Sequence, residues 1–309
     1  MFMAREGLFN GCDAVLHWHP SSMNSAGDPT CMARIAAKFR FHGKSAHAAE
    51  APELGRSALD AVDITTYAAQ LLREHTPDFT RIHHVVTAGG SAPNVVPDFA
   101  EVFFYVRHPK SQVVKALYQR LLLCAKAGAL ATETELEVEY LGGTLEILPN
   151  NSLAAITGKN LRELCNLRYS KEELEFATRI QSSLLEKPTL DDLNRFTNRS
   201  NVLLKQSTDV GDVSWIVPTT GFTTACWVPG TPAHSWQAVA AGGTTIGRKG
   251  MDLASCVLAA TAWDLLTQPA LLESAKQEHN RRLVGQNYES LLLKNQKPPL
   301  GYRDTSTGK

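Results

Sequence analysis

Two hydrophobic periods alternate along the chain. Residues 34 to 41 switch between polar and apolar at period two, the pattern of a half-buried strand. From 55 to 74, Ala58, Ala61, Val62, Thr65, Ala68, Ala69 and Leu72 recur at the i, i+3, i+4, i+7 spacing of one helix face. Residues 82–87 and 100–106 read as two further strands, separated by the turn-rich Gly89-Gly90-Ser91-Ala92-Pro93-Asn94. Ser111 is placed to cap a second helix bearing Val113, Val114, Leu117, Tyr118, Leu121 and Cys124 on one face, and residues 135–140 alternate again. The order βαββαβ is the split-βαβ, ferredoxin-like plan: a four-stranded sheet with both helices on one side.

The flanks follow another pattern. Residues 3–9 read as the last turns of an amphipathic helix ending at Asn10-Gly11, and a strand-like run over 13–19 follows. Beyond Gly142, helical patterns cover 152–167 and 171–185, then a polar stretch runs from 188 to 201. Strand-like runs at 213–217 and 221–228 precede a long helical pattern over 250–267 and another beyond it. The tail from Lys297 is polar and expected to fray. These patterns predict an α/β fold into which the βαββαβ module is inserted. Residues 1–32 and 143–309 form the larger part, and 33–142 the insertion. Beginning within an α/β alternation, without a leading strand, predicts that the larger part is incomplete at its N-terminus.

Charge and composition narrow the partners. The 31 basic residues balance 31 acidic ones, leaving no net field to attract nucleic acid or an anionic membrane. No apolar run reaches the ~20 residues that span a bilayer. Arg5 and Glu6 interrupt the opening apolar stretch, and no small-residue cleavage site follows, so it does not read as a secretory signal. Six scattered cysteines without a C-x-x-C pattern suit a reducing, cytoplasmic setting.

Four groups of residues could carry chemistry. His17 and His19 lie two apart in a strand-like run and should share one face, as metal-binding imidazoles or as ordinary strand-end histidines. His234 stands in a Pro/Gly loop after a strand-like run, where open α/β sheets place function, although a solvated loop histidine would look the same. His47 lies among small residues in Gly43-Lys44-Ser45-Ala46-His47-Ala48-Ala49, which suggests close backbone approach, although an ordinary connection in the small domain would look the same. Asn94, in the Gly/Pro loop, and Arg107, at the end of the next strand, would suit a ligand carboxylate, the Arg fork matching its geometry, although a solvated strand-end arginine would look the same.

Taken in order, the stretches EGLFNGCDAVLHWHP, GKSAHAAEAPELGRSALDAV, TAGGSAPNVVPDFAEVFFYVR, STDVGDVSWIVPTTGF and WVPGTPAHSWQ resemble one group of enzymes. This is the metallopeptidase superfamily that contains carboxypeptidase G and aminoacylase, and within it the family of aminobenzoyl-glutamate utilization protein B. The resemblance implies a metallopeptidase-type catalytic domain with an inserted lid or dimerisation domain. It implies hydrolysis of an N-acyl- or N-aroyl-glutamate amide such as p-aminobenzoyl-glutamate, with zinc or manganese activating water. His19 and His234 match metal ligands, and His47 matches a lid histidine that steadies the oxyanion in a partner's site. Asn94 and Arg107 match residues holding the substrate's carboxylate. Asp212 falls in a stretch whose family counterpart is a Glu-Asp-Phe-like turn, without a clear role. A homodimer, or a heterodimer with a related subunit, would form through the lid. The family's His-x-Asp or Cys-x-His motif is absent, and the one Glu-Glu pair, Glu172-Glu173, sits in a helical pattern where a solvated face is expected. The missing ligands would precede Met1, so this chain alone is expected to have negligible activity. In the other reading it is a non-catalytic partner that lends His47, Asn94 and Arg107 to a complete subunit.

Overall fold

A computed structural model describes residues 1–301. Helix α1 (Phe2–Arg5) leads to β1 (Val15–Ser21), and the short strands β2 (Asn24–Ala26) and β3 (Thr30–Cys31) carry the chain to the period-two segment. That segment is β4 (Ala33–His42): Ala33, Ile35, Ala37, Phe39 and Phe41 are buried, and Arg34, Lys38, Arg40 and His42 alternate with them on the opposite face. Helix α2 (Ala58–Arg73) starts where the Ser57 hydroxyl accepts from the Asp60 N–H, and it buries the stripe Ala58, Ala61, Val62, Thr65, Ala69 and Leu72. Strands β5 (Arg81–Ala88) and β6 (Phe99–His108), helix α3 (Ser111–Thr132) and strand β7 (Glu135–Thr144) complete the unit. The sheet order is β5-β6-β4-β7, antiparallel throughout. Both helices cover one face, around Phe39, Phe41, Ile82, Phe104, Leu117 and Leu121. One expectation is corrected: Ser111 is the first helical residue, not the cap, and its N–H donates to the Glu146 carboxylate instead.

The rest of the chain builds a second layer. Helix α4 (Asn151–Leu164) is capped by the Asn150 side chain, and α5 (Lys171–Ser182) by a reciprocal box between Ser170 and Glu173. Glu173 also pairs with Lys249 at 2.6 Å, so the Glu172-Glu173 pair serves a helix start. Short strands β8 (Phe196–Asn198) and β9 (Leu203–Leu204) precede helix α6 (Val210–Ser214) and strand β10 (Thr219–Ala225). Helices α7 (Trp236–Gly242), α8 (Thr245–Thr267) and α9 (Pro269–Leu283) follow. The strand expected at 213–217 is not one. Trp215 and Val217 are buried at the end of α6, where the Trp215 indole donates to the Glu146 carbonyl and packs on the core of the smaller sheet. A five-residue alternation cannot distinguish that packing from a strand.

The larger sheet has the order β1-β10-β2-β8, with β1 and β10 parallel and in register from Val15↔Thr219 to Ser21↔Ala225. Trp18 and Phe222 face α4 and α8 and pack with Leu161, Leu253, Ala254 and Val257. The alternate residues, His17, His19, Gly221 and Thr223, face away from those helices. No described helix is long and apolar enough to cross a membrane. All six cysteines are unpaired. The polar tail expected from Lys297 is described as far as residue 301, and its remainder lies outside the described residues.

Asp212, whose role the sequence leaves open, ties the two layers together. Its carboxylate is wholly buried and accepts from the Leu145 N–H at 3.2 Å and the Tyr288 hydroxyl at 3.0 Å. Leu145 directly follows β7, and Tyr288 belongs to the segment after α9 that continues along the same edge, where the Tyr140 hydroxyl donates to the Leu291 carbonyl at 2.6 Å. Gly142, at φ +100°, lies so close to Leu292 that a Cβ would come within 2.6 Å of its side chain. Burial raises the Asp212 carboxyl above its ordinary range. A raised acid stabilises the fold most fully below its unfolded value of 3.8, and that contribution fades as pH rises through the folded value. Asp212→Ala, which leaves a buried N–H and hydroxyl without their acceptor, should lose about 2–4 kcal/mol in urea unfolding at pH 7. Asp212→Asn keeps one acceptor, for the Leu145 N–H, and can turn its amide N–H toward the Tyr288 hydroxyl oxygen, so it should lose less than the alanine variant. An alanine variant as stable as the parent would show that the tie contributes nothing.

Candidate active-site cavity

The face of the larger sheet that carries His17 and His19 floors a cavity of about 530 Å³. Gly221 and Thr223 of β10 share the floor, and residues 27–29, 206–210, Trp227 and Ala233 contribute to the walls. The strand register explains the arrangement. His17 pairs with Gly221, and its ring lies across that glycine so closely that a Cβ there would come within 2.0 Å of Nε2. No residue with a side chain fits beneath this imidazole.

The two strand histidines differ electrostatically. Burial, then the neighbouring His19, lowers His17 from 6.5 to about 4, while Asp209 opposes the shift. His17 is therefore neutral near pH 7. In His19, Nδ1 stands 2.7 Å from the carbonyl of Pro20. A carbonyl only accepts, so Nδ1 carries a proton, and Nε2 is the ring atom left to meet a metal. His234 lies beyond Ala233, in the loop at the cavity wall, with an exposed side chain and φ +61°. A non-glycine residue in the left-handed region is strained, and the turn around it is held by the Ser235 hydroxyl, which donates to the Pro232 carbonyl at 2.8 Å and caps α7.

His47 and Asn94 meet; Arg107 stands apart from them. His47 bridges Val95, and the Ala48 N–H donates to the Asn94 carbonyl at 2.9 Å. His47 Nδ1 accepts from the N–H groups of Ala49 and Glu50 at 3.2 and 3.1 Å, which leaves a ring proton on Nε2, in an exposed side chain. Asn94 precedes β6 and Arg107 lies near its far end, so most of that strand separates them, roughly 26 Å at ~3.3 Å per residue. One chain does not close both around one carboxylate. Arg107 instead reaches the larger layer, where it donates to the Ser207 hydroxyl at 3.1 Å, and Ser207 lines the cavity.

Among the described residues no three His, Cys, Asp or Glu side chains are close enough together to hold a metal ion. His19 has Nε2 left for an ion, but the donors present do not make a complete shell. Asp209 and Ser207 line this cavity, and the sequence pattern gives neither a role. The run Gln206-Ser207-Thr208-Asp209 ahead of a helix is the available signal, and its polar character alone does not separate it from an ordinary loop.

Comparison with known proteins agrees with this architecture. Residues 33–132 match the model of the M20 peptidase dimerisation domain. The chain is 37% identical to a p-aminobenzoyl-glutamate hydrolase subunit of Escherichia coli (strain K12), over 96% of this chain and 67% of that protein. It is 29% identical to a Xaa-Arg dipeptidase of Mus musculus, over 90% of this chain and 58% of the relative. It thus spans about two thirds or less of these relatives, which are hydrolases. An aminobenzoyl-glutamate utilization protein from Klebsiella pneumoniae shares the fold, with TM-score 0.55 and 18% identity over 84% of this chain and 56% of that one. An amidase of the hydantoinase/carbamoylase family from Burkholderia multivorans does so at 0.51 and 15%, over 85% and 55%. The identity to the Escherichia coli hydrolase, together with the dimerisation-domain match, places this chain in the p-aminobenzoyl-glutamate hydrolase family of M20-type peptidases.

Proposed function

We propose that the chain is one component of an amidohydrolase that binds N-acyl- or N-aroyl-glutamates such as p-aminobenzoyl-glutamate in the cavity above β1 and β10. The observation that carries this reading is Arg107. Its half-buried guanidinium has no carboxylate partner among the described residues and donates to Ser207, and it is Ser207 that lines the cavity floored by His17 and His19. A guanidinium without a carboxylate of its own, bonded to a residue of the cavity wall, is suited to a ligand carboxylate that reaches past that wall. A divalent ion, zinc or manganese by family resemblance, would take His19 Nε2 and His234 as two donors and needs others from outside these residues. His47, with its proton on Nε2, is prepared to donate to an oxygen that gains charge during amide cleavage.

The placement of these groups favours assembly from two chains. Strand β5 is an edge of the smaller sheet, whereas the opposite edge, β7, is flanked by the segment around Leu291 and Gln296. Val85 and Val86 are exposed on β5, and Ile64, Tyr67 and Leu71 form an exposed stripe on α2 at helical spacing. An open apolar edge of this kind pairs readily with another strand. Two-fold antiparallel pairing of β5 with its copy sets the Ala88 end of one chain beside the Arg81 end of the other. That brings the His47–Asn94 end of one lid toward the Arg107 end of its partner. The second reading, a chain that lends His47, Asn94 and Arg107 to a complete subunit, is supported by the same geometry for His47 and Asn94 only, since Arg107 stands beside its own chain's cavity. The incomplete donor set is the observation in favour of that reading.

Alone, with zinc or manganese added, the chain should release p-aminobenzoate from p-aminobenzoyl-glutamate at a negligible rate, followed by chromatography of the product. Mixed with a complete family member whose own lid histidine has been replaced, it should restore turnover, and His47→Ala should remove the rescue while leaving the complex intact. Equal rescue by parent and variant would disprove the role of His47. Val85→Lys should shift the chain from dimer to monomer in sedimentation velocity, with the unfolding midpoint little changed; a dimer that persists would move the interface elsewhere.

A further inference from the structure

The open face of the smaller sheet is divided by charge. At the end far from the cavity its ions are matched: Glu101 pairs with Lys38 and Arg40, and Arg40 also meets Glu137 and Glu139. At the near end, Arg81, Arg107, Arg34 and Thr144 form one row of register partners across the four strands. No described carboxylate pairs with any of these three arginines. Arg34 and Arg107 both lie against the Tyr105 ring, their guanidinium carbons 4.7 and 5.4 Å from its centroid. The buried Nε of each has no hydrogen-bond partner, nor does the buried Thr144 hydroxyl beside Arg34. His83, the register partner of Tyr105, is held below its ordinary range by burial and then by Arg107.

Two adjacent guanidiniums with unused buried donors repel each other and forfeit hydrogen bonds unless an anion joins them. A single carboxylate saturates one fork. The second fork asks for a second carboxylate, within the span of one tyrosine ring. We propose that Arg34 and Arg107 form a dicarboxylate receptor in which Arg107 holds one carboxylate of the glutamyl half of the substrate and Arg34 the other. Arg34 then sets the preference for glutamate over a neutral residue of the same shape. The inference rests on the reading of Arg107 as a carboxylate-binding residue.

The test measures binding to the full chain by calorimetry, using p-aminobenzoyl-glutamate and p-aminobenzoyl-glutamine, which differ by one carboxylate replaced with an isosteric amide. The parent should prefer the glutamate compound by on the order of tenfold. Arg34→Gln should abolish that preference with little effect on the glutamine compound, Arg34→Lys should restore part of it, and Arg107→Gln should weaken both compounds. A preference that survives in Arg34→Gln overturns the proposal. Glutarate, followed by NMR line broadening, separates this inference from the hydrolase reading. If neither aroyl amide binds but glutarate does, and Arg34→Gln or Arg34→Lys weakens it, the hydrolase reading fails and the receptor stands. If neither aroyl amide binds, glutarate that also fails to bind, or binds independently of Arg34, refutes the receptor.

Discussion

The parallel register of β1 on β10 is the constraint on which the rest of the larger layer depends. It joins residues some two hundred positions apart in sequence, and side-chain direction alternates along both strands. Trp18 and Phe222 go to the helical layer, while His17, His19 and Gly221 go to the cavity. A slip of one residue would exchange the two sets, driving an indole into the cavity and two imidazoles among apolar side chains. Polar contacts hold the register. The Trp18 indole donates to the Thr224 hydroxyl at 2.7 Å, which in turn donates to the Gly250 carbonyl at 2.8 Å. Asn24 bonds both the Ala225 N–H and the Leu193 carbonyl from a fully buried position.

The smaller sheet is legible in the sequence because its strands have one dry face and one wet face, so that period two survives from Ala33 to Phe41. The helix stripe of α2 is equally plain for the same reason. The short strands β2, β3, β8 and β9 are not, since two or three residues carry no period. In the cavity, the shared face of His17 and His19 follows from their spacing alone. The glycine beneath His17 does not, because a close approach between distant segments leaves no local trace. Arg34 reads in sequence as one polar residue in an alternating strand, and only the cross-strand register shows that it stands beside Arg107.

The charge division of the smaller sheet separates two tasks on one surface. The matched ions around Arg40 and Glu101 satisfy each other, and Glu101 is held well below its ordinary carboxyl range, to about 2: burial alone would raise it, but bonds from Thr87, Arg40 and Lys38 outweigh that. Such a network fixes strand positions and asks nothing of a ligand. The unmatched arginines sit where the sheet meets the larger layer, and there the protein leaves positive charge without a partner of its own.

The smaller sheet also changes how far the chain must search in order to fold. Arg34 and Thr144 are direct register partners, so once this contiguous segment has closed, the ends of its 111 residues are adjacent. The loop joining β1 to β10 then behaves as one about half as long, and loop-closure entropy falls accordingly, by roughly 0.6 kcal/mol for a halving. The saving in free energy is small, but the order it imposes is not: local antiparallel contacts form readily, and distant parallel ones wait. The cavity, built on the most distant strand pairing among the described residues, is on this account among the last features to take shape.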